Sequence, residues 1–117
     1  TTTNSSTAVT LLDYDAGALG SANALSVTYN IVCVASSGSY GQFTGTFRAY
    51  CATGASPSVS ITTPFTTAVS SLDAGVNTCD ISATGSVSAG HVTVQVTGQA
   101  ATTVKWTGEA TIMQRAV

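Results

Sequence analysis

Apolar and polar residues alternate along most of this 117-residue chain. In residues 26–35, Val27, Tyr29, Ile31 and Cys33 share one face, and Ser26, Thr28 and Asn30 take the other. Residues 43–51 alternate again, with Phe43, Gly45, Phe47, Ala49 and Cys51 inward and Thr44, Thr46, Arg48 and Tyr50 outward. A period of two is the signature of a half-buried strand. The Ser/Gly-rich segment 36–41 between the two runs predicts a turn, so the pair predicts a hairpin with Cys33 opposite Gly45 and Cys51 opposite Val27.

The same pattern extends outward from this hairpin. Residues 8–12 read as a first strand with Val9 and Leu11 on one face, followed by a loop over 13–21. Residues 58–63 read as a short strand between Pro57 and Pro64, with Val59 and Ile61 inward, and 66–72 fits neither period. Residues 76–83 place Cys79, Ile81 and Ala83 on one face, and 84–90 reads as a connection. Residues 91–97 turn Val92, Val94 and Val96 inward and Thr93 and Gln95 outward. After a turn over 98–102, a last strand turns Val104, Trp106, Gly108, Ala110 and Ile112 inward, and Lys105, Thr107, Glu109 and Thr111 outward. About seven or eight strands, each with one polar face, predict a single antiparallel β-sandwich or jelly-roll-like domain over 8–117. Residues 1–7 (TTTNSST) are polar and read as an arm or linker.

Composition narrows the function more than the fold. Only 7% of residues are charged, three Lys/Arg against five Asp/Glu, where an ordinary domain has about 25%. With 21 Thr and 15 Ser, the surface is clothed in hydroxyls instead. There is no basic excess to meet phosphates, which argues against nucleic acid. The longest apolar run, 31–35, is far short of the roughly 20 residues of a membrane helix, which argues against a membrane. A surface so weakly charged favours association, so the expected partner is a second copy or a fellow component of an assembly. The chain begins at Thr, as a processed product or a piece of something longer would.

Candidate chemistry is sparse. Cys33, Cys51 and Cys79 lack the close spacing of a zinc site and read as buried thiols; on the expected hairpin register a Cys33–Cys51 bridge is too long, so any bridge involves Cys79. Asp13 and Asp15 form a D-x-D that fits either an Asx turn or part of a calcium site. His91 points with the polar face of its strand, without a recognisable nucleophile in sequence. The expectation is no catalytic residue, no metal and no cofactor. Tyr14, Tyr40 and Tyr50, placed in loops or on an outer face, together with Arg48, are the candidate contact residues, for a subunit interface or for stacking on a sugar.

The closing segment is Val96-Thr97-Gly98-Gln99-Ala100-Ala101-Thr102-Thr103-Val104-Lys105-Trp106. It follows a Thr-rich start, an alternating strand, a Ser/Gly turn and the Phe43, Phe47, Arg48 strand. This order resembles a module of tailed-phage virion proteins, often at the C-terminal end of tail, fibre or spike chains, whose ending reads V-T-G-x-A-x-x-T-x-x-W. The similarity runs over about residues 8–113, and three Cys and few Arg depart from it. The resemblance implies a non-enzymatic virion β-sandwich, a capsid decoration, head fibre or tail component, assembled as a trimer or larger ring with other virion proteins. Gly98 is expected to permit the turn and Trp106 to plug the core. The alternatives are a module binding a host-surface glycan through Tyr14 and Tyr40, and a non-viral extracellular filament subunit in which residues 1–12 complete a neighbour's sheet.

Overall fold

The computed structural model describes residues 1–53, 58–61, 66–85 and 89–117, with backbone alone for 66–69. Pro57, Pro64 and the middle of the expected 84–90 connection lie outside the described residues. The chain is all-β, two antiparallel sheets packed as a sandwich. Among the described residues nine strands follow in order: β1 Thr2–Thr3, β2 Ala8–Asp15, β3 Asn23–Ala35, β4 Tyr40–Cys51, β5 Val59–Ile61, β6 Thr66–Leu72, β7 Asp80–Gly85, β8 His91–Thr97 and β9 Val104–Ala116. The larger sheet runs β1-β9-β3-β4, with β5 and β6 both pairing along the far edge of β4; the smaller runs β2-β8-β7. Among the described residues no helix is long and apolar enough to cross a membrane.

Alternation explains why these strands bury the faces they do. Leu25, Val27, Tyr29, Ile31 and Cys33 of β3, Phe43, Phe47 and Ala49 of β4, and Val104 and Trp106 of β9 face Val92, Val94 and Val96 of β8 and Ile81 of β7 across one core. Fully burying an aliphatic or aromatic side chain of this kind contributes about 1.5–3 kcal/mol. The polar partners of the same strands stay outside.

Four expectations are corrected. The central hairpin closes tighter than its composition suggests: Cys33 pairs with Gly41 and Cys51 with Asn23. Gly38 at φ +94° lets a four-residue turn close between Ala35 and Tyr40, sealed by the Ala35 N–H to Ser39 O bond of 2.7 Å. The displacement is an even number of residues, so the inward set is unchanged. Cys51 lies ten residues from the level of Cys33, about 33 Å at ~3.3 Å per residue, so no bridge joins them.

Second, β2 does not stop at residue 12. A register shift between Thr10 and Leu12 accommodates Leu11 as an extra residue, which leaves Val9 exposed while Leu11 and Leu12 pack on the core. The strand then continues through Tyr14, and the expected loop begins only with a 3-10 turn, Ala16–Leu19. Third, the strand expected from residue 76 starts at Asp80, because Val76 ends a second 3-10 turn, Ala74–Val76, that drops its side chain into the core.

Fourth, the polar start is docked rather than free. Thr2 and Thr3 pair with Lys105 and Val104, and Thr3 is buried. The Trp106 backbone N–H donates to Thr1 O at 2.8 Å and its indole N–H to Thr3 Oγ1 at 2.9 Å. Gly98 belongs to this arrangement and not to the turn. A Cβ there would overlap the Thr3 side chain and stand 2.8 Å from Ser5 O. The left-handed residue of the turn is Ala101, at φ +56°.

Candidate functional site

The antiparallel pairing of β2 with β8 sets Asp15 opposite His91 and Asp13 opposite Thr93. All three titratable side chains emerge on the outer face of the smaller sheet. His91 Nδ1 stands 2.9 Å from Asp13 Oδ1, and Nε2 stands 3.9 Å from Asp15 Oδ2. The Asp13 hydrogen bond, aided by the charges of Asp13 and Asp15, raises the His91 pKa above its usual value. Asp15 has a second task, since its Oδ1 accepts the Ala18 N–H and caps the 3-10 turn. The D-x-D therefore works as a histidine clamp and a turn cap.

Catalysis by such a histidine needs one ring nitrogen aimed at a nucleophile and the other held by an acid. Here both nitrogens face carboxylates, on an open sheet surface. Among the described residues no group of three or more His, Cys, Asp or Glu side chains is arranged to hold a metal ion. The meeting of His91 with Asp13 and Asp15 has no signature in the sequence, because it depends on which strand neighbours β2.

The outer face of the larger sheet differs in character. The long strands β9, β3 and β4 present ranks of side chains such as Thr111, Thr28 and Thr46, or Glu109, Asn30 and Thr44. Val32, Val34, Tyr40, Tyr50 and Met113 stand exposed on it. Arg48, Lys105 and Arg115 all project from this face, as the alternation of burial along β4 and β9 requires. Among the described residues the ion pairs are those of His91, so none of these three cations reaches a carboxylate of its own chain.

The candidate contact residues do not gather into one site. Tyr14 lies inside β2, turned toward the core edge, with its hydroxyl donating to Gln114 Oε1 at 2.5 Å. Tyr40 opens β4 and is 66% exposed, while Tyr50 is ten residues further along the same strand, about 33 Å away. One sugar ring cannot bridge that span. Arg48 is two residues from Tyr50 on the same outer face.

The interior offers no better centre. Cys33, Cys51 and Cys79 are free and buried. Burial pushes the Cys33 thiol up to about 11, with neighbouring Cys79 adding to the effect, and it raises Cys51 and Cys79 as well. Thiols held protonated in this way are poor nucleophiles. A crevice of about 160 Å³ lies between the sheets, lined by Leu12, Val27, Phe47, Val94 and Ile112. Ligand pockets usually span about 300–1,000 Å³. A larger hollow, about 340 Å³, opens on the outer face of the larger sheet beside Val32, Val34, Tyr40 and Gln42. No family model matches the chain, and no curated protein or solved structure does.

Proposed function

We propose that this chain is a non-enzymatic structural subunit of a phage virion, a β-sandwich that decorates or builds the particle by packing its faces against copies of itself or fellow components. The observation that carries the reading is the outer face of the larger sheet. Its central strands are 13, 12 and 13 residues long. With β5 and β6 forming a fourth column along β4, at ~3.3 Å per residue and about 4.8 Å per strand the face measures roughly 40 by 20 Å, about 800 Å². That is the area one partner contributes to a standard protein interface. Threonines and exposed apolar side chains fill most of it among a few charged groups, so a neighbour packed there removes apolar area from water and offers the hydroxyls hydrogen-bond partners. The virion setting follows from the likeness of the closing hairpin, Val96 to Trp106, to the phage module. In this chain that hairpin binds the N-terminal residues to the core, which suits a subunit that must survive as part of a particle.

The sugar-binding alternative loses its support, since Tyr14, Tyr40 and Tyr50 do not converge. In the filament alternative residues 1–12 serve a neighbour's sheet, whereas here residues 2–3 and 8–12 complete the chain's own sheets.

Mass spectrometry of purified particles, with native mass measurement of the isolated chain, tests the proposal. The expected result is the chain in stoichiometric amounts in particles. A stable monomer that never joins particles overturns it.

A further inference from the structure

The ionisable residues are sorted by face. The larger sheet's outer face holds Arg48, Lys105 and Arg115 with one acid, Glu109. The smaller sheet's outer face holds Asp13, Asp15 and Asp80, with His91 clamped between the first two. All the Lys and Arg of the chain thus lie on one side of the sandwich, and three of its five acids on the other.

The sorting also follows the long axis. Tyr14 bonds Gln114, and Asn23 bonds the carbonyl of Ala16. Asp13 and Asp15 therefore lie at the same end as Arg115, and Arg48 lies near that end, opposite Ser26. Thr97 pairs with Asp80, and the adjoining Gly98 abuts Thr3, which pairs with Val104. Asp80 therefore lies at the Lys105 end. Moving one copy across the thickness of the sandwich, without turning it end for end, sets Arg115 of β9 over Asp13 and Asp15 of β2, which packs behind β9, and brings Lys105 and Asp80 to the same end but opposite edges, since β7 packs behind β5.

We infer that copies of this chain stack head to tail, the cationic outer face of β4 and β9 on one copy seating on the acidic outer face of β2 and β7 on the next. This rests on the assembly reading above and narrows it to one pair of surfaces and one partner, a second copy. Among the described residues these cations have no carboxylate within ion-pair distance, so the contact supplies the opposite charges that the fold does not. An interface between two unlike faces does not close on itself as a twofold dimer does; it propagates into a ring or a filament. Like-on-like packing of either face would instead oppose charges of one sign.

The test uses two exposed double variants, R48E/R115E and D13K/D15K, with circular dichroism and thermal midpoint as folding controls. Native mass is measured at about 0.01 M and about 0.5 M salt, which shortens the screening length from about 30 Å to below 10 Å. The wild-type chain is expected to assemble at low salt and to lose mass at high salt. Each variant alone is expected to associate at least about tenfold more weakly. An equimolar mixture is expected to regain assembly, because the two variants keep one complementary pair of faces intact and their reversed faces complement each other as well. Variants that assemble like the wild type overturn the face assignment and leave the assembly reading standing. Variants that each fail, and fail in mixture too, overturn the head-to-tail geometry. A wild type monomeric at low salt overturns the stacking, while particle composition still decides the virion role.

Discussion

At one end of the sandwich Asn23 is wholly buried and makes three hydrogen bonds; at the other Trp106 is buried against Phe43 and makes one through its side chain. Both ends solve the same problem, since strand termini expose the core and its backbone groups. The Asn23 end is closed by a polar network: Nδ2 donates to Ala16 O at 3.1 Å and Ser21 O at 2.9 Å, while Gln114 donates to Asn23 Oδ1 at 3.0 Å and accepts from Tyr14. The Trp106 end is closed by an aromatic plug, with ring centroids 6.2 Å apart and the indole N–H held by Thr3. The first closure depends on every partner being present. The second rests mainly on area removed from water and tolerates losing its hydrogen bond.

The largest expected effect breaks the aromatic end. Trp106→Ala should cost about 3–5 kcal/mol, the range for removing a large buried aromatic. Trp106→Phe should cost much less, on the order of 1 kcal/mol for the lost hydrogen bond and the Thr3 hydroxyl left behind, with some loss of ring volume. Urea unfolding of both variants checks this. Equal losses would show that Thr3, not ring packing, holds that end together.

Next comes the polar end. Asn23→Leu is close in volume, yet it strands Ser21 O and leaves Ala16 O and the Gln114 amide only the long 3.5 Å bond between them, so a loss of about 2–4 kcal/mol is expected. The distinguishing measurement is the double variant with Gln114→Leu. In a mutually dependent network the two losses add to less than their sum. Simple additivity would reduce the network to independent bonds, and the contrast between the two ends would shrink to one of size.

The ends also differ in how far the sequence discloses them. Alternation over 103–114 puts Trp106 inward without any knowledge of its neighbours, because one strand's period fixes its buried face. The hairpin's buried face is equally legible, although its register is not: a turn's length is set by local torsions, here Gly38, rather than by residue types alone. Nothing marks Asn23 or Gln114 as buried, since their partners lie 7 and 91 residues away. Tyr14 reads as a loop residue until the shift at Leu11 carries β2 past it. The same reason hides the candidate faces. That Arg48 and Arg115 share a face follows from alternation plus pairing, and the opposite placement of Asp13 and Asp80 needs both sheets assembled.

A smaller change sharpens the aromatic end from outside. The turn before β9 places Ala101 at φ +56°, a region a Cβ disfavours. Ala101→Gly removes that strain while loosening the unfolded chain. The first effect should win by about 0.5 kcal/mol, read as a small rise in thermal midpoint. A fall would mean that the turn is not strained, and that the docking of Thr3 beneath Gly98 alone holds the hairpin.

The smallest expected effect belongs to the outside of the polar end, where β2 carries the acids that hold His91. The histidine's folded pKa is raised, first by the Asp13 hydrogen bond and then by the charges of Asp13 and Asp15. A group whose pKa rises on folding stabilises the folded state while it is protonated in both states. That contribution is complete below the ordinary histidine value of about 6.5 and disappears as pH climbs through the raised folded value. The chain should therefore be slightly more stable near pH 5.5 than near pH 8.5, and His91→Gln should remove that part of the difference. The pair is exposed, so added salt should erode the effect. Following the His91 ring protons by NMR against pH gives the folded pKa directly. A value at or below about 6.5 would mean that the clamp does not hold the charged ring in solution, and that the polar closure of this end stops at Tyr14 and Gln114.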